Sequence, residues 1–254
     1  MGHIRLGNLP RTRKWQQVIA LLDSGAATDQ IAAATLDASK RGLLDAARDP
    51  ALVYSFWLLT QLPLCARKSD YSAELKKLGI SVAADPGLLD LVGAFTDSVD
   101  AHVMRTGGRT DLGEMAQMGA AESLTTTLRQ QTTSLFGTTP QDVQRELARL
   151  GTTKNFSVLA HDFFARLSER YLTYFLSRQL SSRHRGVDAN RQFREALSLH
   201  CKQACKIVEQ FAGGWYSKAN YEGGITQKKA ANFIHVALKK LRAELGKGAD
   251  SGGQ

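Results

Sequence analysis

The sequence predicts an all-α fold, a multi-helix bundle that forms either one unit or two helical subdomains. Prolines number only five in 254 residues, whereas Ala, Leu, Gln and Arg, which favour helices, are abundant. Apolar residues recur at helical spacing, as in the series Trp15, Val18, Ile19 and Leu22. The sequence contains few of the runs of β-branched residues that would favour strands.

Capping residues and turns divide the N-terminal half into successive helices. Thr, Ser, Asp or a first-turn Pro precedes most of the apolar periodic segments, and Gly follows several of them. The first helix begins at Thr12 or Arg13 and ends at Ser24-Gly25. These signals predict further helices over residues 28–42, 51–66, 70–79 and 85–105. The apolar segment 51–66 is too short to cross a bilayer and contains Pro63, so we expect a buried core helix.

The turn Thr106-Gly107-Gly108-Arg109 is where we place the subdomain boundary. It separates an N-terminal helical subdomain (1–107) from a C-terminal basic helical subdomain (108–246), and residues 247–254 are predicted to be a disordered tail. In the second subdomain the pattern predicts helices over 111–137, 139–150, 153–181, 188–211 and 226–246. A basic loop is expected at 182–190, and Gly213-Gly214 is expected to end the fourth of these helices.

The net positive charge of the protein comes entirely from the second half of the chain. Residues 1–130 contain 14 Lys and Arg and 14 Asp and Glu, whereas residues 131–254 contain 19 and 10, which accounts for the net charge of +9. Basic residues recur at four-residue spacing on two successive helices and in the loop between them, so a helical hairpin could present a continuous basic strip to nucleic-acid phosphates. The strip consists of Arg166, Arg170, Arg178, Arg183, Arg185, Arg191, Arg194, Lys202 and Lys206.

The segment from Gly213 to Gly224 is a second candidate binding element. Trp215, Tyr216, Lys218 and Tyr221 lie between its paired glycines. Aromatic rings beside a cation can stack on bases or hold a peptide, so the segment is a candidate ligand or partner loop. The alternative is that the aromatic rings are anchored in the core.

Motifs for catalysis, metals and cofactors are absent from the sequence. It has no P-loop, dinucleotide fingerprint, HExxH or EF-hand loop, and Cys201 and Cys205 lack further ligands at zinc spacing. We therefore expect no cofactor and no metal. One enzymatic alternative rests on Arg194 and His200, which have five residues between them. This spacing resembles the Arg–His pairs of helical ribonucleases of the HEPN type, but Glu195 stands where those enzymes usually have Asn, Asp or His.

These observations predict a soluble, cytoplasmic protein that does not enter the membrane. We expect a non-catalytic helical accessory subunit of a multi-protein assembly, whose basic half contacts RNA or DNA phosphates without sequence specificity. Protein partners are expected for its near-neutral half. The alternatives are an interaction scaffold with an acidic protein partner and a helical ribonuclease of the HEPN type.

Overall fold

The computed structural model describes residues 12–39, 45–131, 139–182 and 186–246, with all side chains in these ranges except those at positions 130, 131, 178, 181 and 182. The described residues form ten α-helices and one 3-10 turn (Ala46–Arg48), with no strand among them, so the predicted all-α fold is confirmed. The helices are α1 (Arg13–Ser24), α2 (Thr28–Ala38), α3 (Pro50–Cys65), α4 (Tyr71–Lys77), α5 (Leu88–Thr106), α6 (Asp111–Gln131), α7 (Pro140–Arg149), α8 (Thr153–Ser182), α9 (Val187–Tyr221) and α10 (Gln227–Gly246).

Local capping interactions explain where most of these helices begin. An Ncap side chain accepts a hydrogen bond from a backbone N–H of the first turn, which otherwise has no partner within the helix. Thr139 and Asp142 form a reciprocal capping box at α7, and Pro140 and Pro50 occupy first-turn positions. Such caps are supplied by Thr12, Asp49, Asp70, Thr110, Thr139, Thr152 and Thr226.

Helix α3 is the centre of the hydrophobic core and contacts α4, α5, α6, α7 and α10. As predicted, it is a buried core helix, and Pro63 lies within its last turn. The Phe56 ring stacks on Phe233 of α10 at a centroid distance of 5.2 Å and also contacts Phe163 and Phe164 of α8. The core therefore includes residues of both predicted subdomains. That the chain divides into separate folding units between residues 107 and 108 stays a prediction.

Several predicted helix boundaries differ from the structure. The helix expected over 28–42 ends at Ala38. The helix expected from Asp85 begins at Leu88, after its Ncap Gly87. The helix expected to end at Gly213-Gly214 continues to Tyr221. Gly213 lies where α9 crosses the start of α8, and an added Cβ there would overlap the carbonyl oxygen of Thr153. Gly213 therefore lets α9 pack closely against α8, and this tertiary packing outweighs the low helix propensity of glycine.

Helices α9 and α10 form an antiparallel hairpin whose turn is closely held. Gly223 and Gly224 adopt positive φ angles of 89° and 91°. The Lys229 ammonium donates hydrogen bonds to the carbonyls of Ala219, Glu222 and Gly224 at 3.2, 3.0 and 2.8 Å, which satisfies oxygens left free at the end of α9. The Trp57 indole of α3 donates to the carbonyl of Ile225 at 2.8 Å, attaching the turn to the core.

None of the helices in the described part of the chain is both long and apolar enough to span a membrane.

Candidate nucleic-acid interface

The two arginines in the middle of α8 point towards α6 and are paired with acids. Arg166 donates to Asp162 at 2.8 Å, to Glu122 of α6 at 3.0 Å and to the Thr126 hydroxyl at 3.0 Å. Arg170 also donates to Glu122. Their charges are largely compensated by these carboxylates, so Arg166 and Arg170 hold α6 and α8 together.

A groove of about 450 Å³ lies between α6, α8 and the beginning of α9. Arg166, Arg170 and Arg194 line it together with three glutamates, Glu114, Glu122 and Glu169, so its charges nearly balance. Ser198 of α9 donates to Glu169 at 2.9 Å. Arg194 is exposed and forms no ion pair with any residue that the structure describes. The groove is therefore lined by equal numbers of arginines and glutamates and is not a basic strip.

The other predicted basic residues divide into three groups. Arg183 and Arg185 lie outside the described residues, as does the Arg178 side chain, so nothing tests their predicted role. Arg191 is exposed and pairs with Asp188 at 3.1 Å. Lys202 and Lys206 are exposed on α9.

Lys206 shares a shallow surface groove with a second exposed lysine. Lys154, at the beginning of α8, lines this groove with Lys206 and with Ser157, Glu209 and Gln210. Lys154, Lys202 and Lys206 have no carboxylate partner within the described ranges. The described part of the predicted strip is consequently split into Arg166 and Arg170, which are paired and face α6, Arg191, which is paired on α9, and Arg194, Lys202 and Lys206, which have no described carboxylate partner on α9.

Helix α10 carries further cations that sequence reasoning did not include. Five of its 20 residues are Lys or Arg, and only Glu244 is acidic. Lys228 and Lys239 are eleven residues apart, which places them on one face of the helix. Lys228, Lys239 and Lys240 are exposed, Arg242 is half-buried, and no described carboxylate pairs with any of the four. The excess of five basic residues over one acid is the signal that could have identified this face.

Cations are exposed on both helices of the α9–α10 hairpin, although Phe211, which marks the α10 side of α9, lies about 140° around the helix from Lys206. Lys240 of α10 lies 5.6 Å from the ring centroid of Phe211 in α9, at the seam between the two helices. We use the name hairpin basic face for the exposed, unpaired lysines of the two helices, which are Lys202, Lys206, Lys228, Lys239 and Lys240. Because these ammonium groups are not compensated locally, they produce a positive surface potential that attracts polyanions.

The predicted aromatic segment lies within α9 and its end rather than in a loop. Tyr216 is 2% exposed and stacks on Phe156 at a centroid distance of 4.0 Å. Trp215 packs on Phe233 at 4.2 Å. Lys218 is exposed and lies 3.8 Å from the Glu222 carboxylate, and Tyr221 is 93% exposed. Two of the three aromatics are therefore core anchors, and Tyr221 alone faces solvent.

Arg194 and His200 lie on different sides of α9. Six residues of helix separate two side chains by roughly 120° around the axis. Arg194 lines the groove beside α8, whereas the half-buried His200 ring lies near the backbone of Leu245 in α10. Burial lowers the pKa of His200 below its ordinary value. Within one described chain the two residues do not form a shared site.

Cys201 and Cys205 are buried between helices as free thiols. Burial raises the pKa of Cys201 to about 12, which keeps it protonated at neutral pH. In the ranges that the structure describes, no group of three His, Cys, Asp or Glu residues is arranged to hold a metal ion.

Comparison of the chain with protein-family models, with curated proteins and with solved structures finds no match in any of the three.

Proposed function

We propose that this protein is a non-catalytic helical accessory subunit of a larger assembly, which binds nucleic acid through the hairpin basic face. The observation that carries the proposal is the absence of described carboxylate partners for Lys202, Lys206, Lys228, Lys239 and Lys240. Cations already paired within the protein, such as Arg166, gain little from a phosphate, because binding must first break an existing ion pair. Exposed unpaired ammonium groups have no such penalty.

The shape of this face suits a phosphate backbone better than a small anion. Lys228 and Lys239 are separated by about 16 Å along α10, because an α-helix rises 1.5 Å per residue. Lys202 and Lys206 lie one turn apart on the adjacent α9. Lysine ammonium groups on long flexible stems make point-charge contacts that do not distinguish bases. Recognition of this kind is independent of sequence and weakens steeply with salt.

The test is binding to labelled RNA and DNA, single-stranded and duplex, followed by fluorescence anisotropy at 50 and 200 mM salt. Four phosphate contacts should reduce affinity by about 50- to 150-fold between these conditions. The informative variant replaces Lys202, Lys206, Lys228 and Lys239 together with Gln. We expect it to lose most of the salt dependence and at least about tenfold in affinity at 50 mM.

A matched control removes the same charge elsewhere on the surface. Arg13, Lys68, Lys76 and Arg105 are exposed, and none has an ion-pair partner among the described residues. Their joint replacement with Gln should change affinity by less than about threefold, because none of them belongs to the hairpin basic face and salt screens charges that do not touch the ligand. Equal losses in both quadruple variants would contradict the assigned surface. No binding at 50 mM salt would contradict the proposal as a whole and favour an acidic protein partner.

A further inference from the structure

Tyr221 is the last residue of α9 and is 93% exposed at the tip of the hairpin. Its ring contacts no other aromatic ring, and its hydroxyl makes no hydrogen bond, within the described ranges. The neighbouring Trp215 and Tyr216 are held in the core by ring contacts. Tyr221 therefore contributes nothing comparable to the packing of the bundle.

The surroundings of Tyr221 leave its ring accessible and place cations beside it. Gly223 and Gly224 follow it, and no atom lies within 4 Å of the position that a Cβ would take at either glycine. Lys218 lies one turn before Tyr221, and its side chain is 75% exposed. Lys228, at the beginning of α10, belongs to the hairpin basic face. A ligand can thus approach the ring without displacing a side chain, and Lys228 supplies the unpaired ammonium group, because Lys218 lies 3.8 Å from the Glu222 carboxylate.

The backbone that carries Tyr221 is fixed although the side chain is free. Lys229 bonds to the carbonyls on both sides of it, those of Ala219 and Glu222. The Trp57 indole holds the following turn through the carbonyl of Ile225. An aromatic ring presented from an ordered turn loses little conformational freedom when it binds.

The position of Tyr221 continues the line of cations along α9. Fifteen residues separate it from Lys206, which corresponds to about 60° around the helix and about 22 Å along it. A strand whose phosphates contact Lys202 and Lys206 can therefore reach the hairpin tip within a few nucleotides.

We infer that Tyr221 stacks on an unpaired base and that the protein prefers single-stranded to duplex nucleic acid; this inference depends on the proposed function. Bases of a duplex are stacked on one another inside the helix, so a tyrosine on a protein surface cannot reach their faces without unstacking them. Bases of a single strand present free π-faces, and exposed aromatics beside a basic groove bind them with little sequence preference. One such contact changes affinity by about 5- to 100-fold.

The experiment compares one single-stranded oligonucleotide with its duplex at 50 mM salt, using wild type, Tyr221→Ala and Tyr221→Phe. We expect wild type to bind the single strand more tightly, and Tyr221→Ala to lose at least about fivefold on the single strand while duplex binding is unchanged. Tyr221→Phe should retain the preference, because stacking needs the ring and not the hydroxyl. A 2-aminopurine base in the oligonucleotide should lose fluorescence on binding wild type and Tyr221→Phe but much less on binding Tyr221→Ala.

Leu89→Ala is the matched control, because Leu89 is also an exposed apolar residue, at 72%, and lies on α5, outside the hairpin basic face. It should bind as wild type does. Salt-dependent binding with equal affinity for strand and duplex, or with no effect of Tyr221→Ala, would overturn the inference and leave the proposed function standing. No binding of any nucleic acid at 50 mM salt would overturn both, and the charge-matched quadruple variants identify that case.

Discussion

Replacing Gly213 with Ala adds one methyl group where α9 crosses the first turn of α8. The new Cβ would overlap the carbonyl oxygen of Thr153 and lie 2.8 Å from its carbonyl carbon and 2.5 Å from Ser157 Oγ. Non-bonded carbon atoms in good contact are about 3.5–4 Å apart, so the two helices would have to separate locally by roughly 1 Å. The same shift would disturb the 3.0 Å hydrogen bond from the Gly213 N–H to Ser157 Oγ.

The neighbouring Gly214 provides the reference for the magnitude. An added Cβ at Gly214 meets no atom within 4 Å. Gly214→Ala should therefore stabilise the protein by about 0.5–1 kcal/mol, the usual gain in helix propensity. Gly213→Ala has the same gain in helix propensity, but overpacking costs about 1–3 kcal/mol and the strained hydrogen bond costs about 1 kcal/mol. The two variants should differ by about 2–4 kcal/mol in the free energy of unfolding.

Urea unfolding followed by far-UV circular dichroism measures this difference from the shift in midpoint at constant m-value. Thermal unfolding should show the same order, with Gly214→Ala at or above wild type and Gly213→Ala several degrees below it. If Gly213→Ala were as stable as Gly214→Ala, the close crossing of α8 and α9 would be wrong.

Three further predictions concern groups held by the tertiary structure. Lys229→Met should lower the free energy of unfolding by about 1–3 kcal/mol, because three carbonyls at and just after the end of α9 lose their donor. In the same urea titration, the control Lys239→Met on the exposed face should change the free energy of unfolding by less than about 0.5 kcal/mol. His102 stacks on Tyr54 at a centroid distance of 3.9 Å, and burial lowers the pKa of His102 below 6.5. The stabilising contribution of the neutral ring is therefore complete above pH 6.5 and is lost as the pH falls through the pKa of His102 in the folded protein. His102→Phe, which retains a ring at this position, should therefore lose less stability than wild type between pH 8 and pH 5; an equal loss would contradict the assignment. Burial raises the pKa of Cys201 to about 12, so Ellman's reagent at pH 8 should label this thiol only after urea unfolds the protein, and rapid labelling of the folded chain would contradict its position.

The groove between α6, α8 and α9 shows why charge counting along the chain did not locate the exposed cations. Arg166 and Arg170 have the four-residue spacing expected of a basic helix face. Glu122, their shared partner, is more than 40 residues away in sequence, and only the packing of α6 on α8 brings it to them. Helical periodicity determines which residues share a face, but it does not determine what that face meets.

The sequence by itself determined the fold class and most helix boundaries, because these depend on interactions within three or four residues. Asp70, Thr139 and Thr226 each cap the backbone three positions ahead, and Pro50 occupies a first-turn position in which its missing N–H is no loss. The run of lysines in 227–246 was equally visible in the sequence, although its importance was not.

Only the tertiary structure decided which of these residues remain available for a partner. Gly213 looks like a helix end in the sequence, yet the backbone of Thr153 in α8 makes it a crossing point within α9. Tyr216 and Tyr221 are both tyrosines of the same segment, but Tyr216 packs against Phe156 whereas Tyr221 extends into solvent. Exposure and ion pairing depend on contacts between distant segments, and a local pattern carries no information about which distant segment will lie opposite.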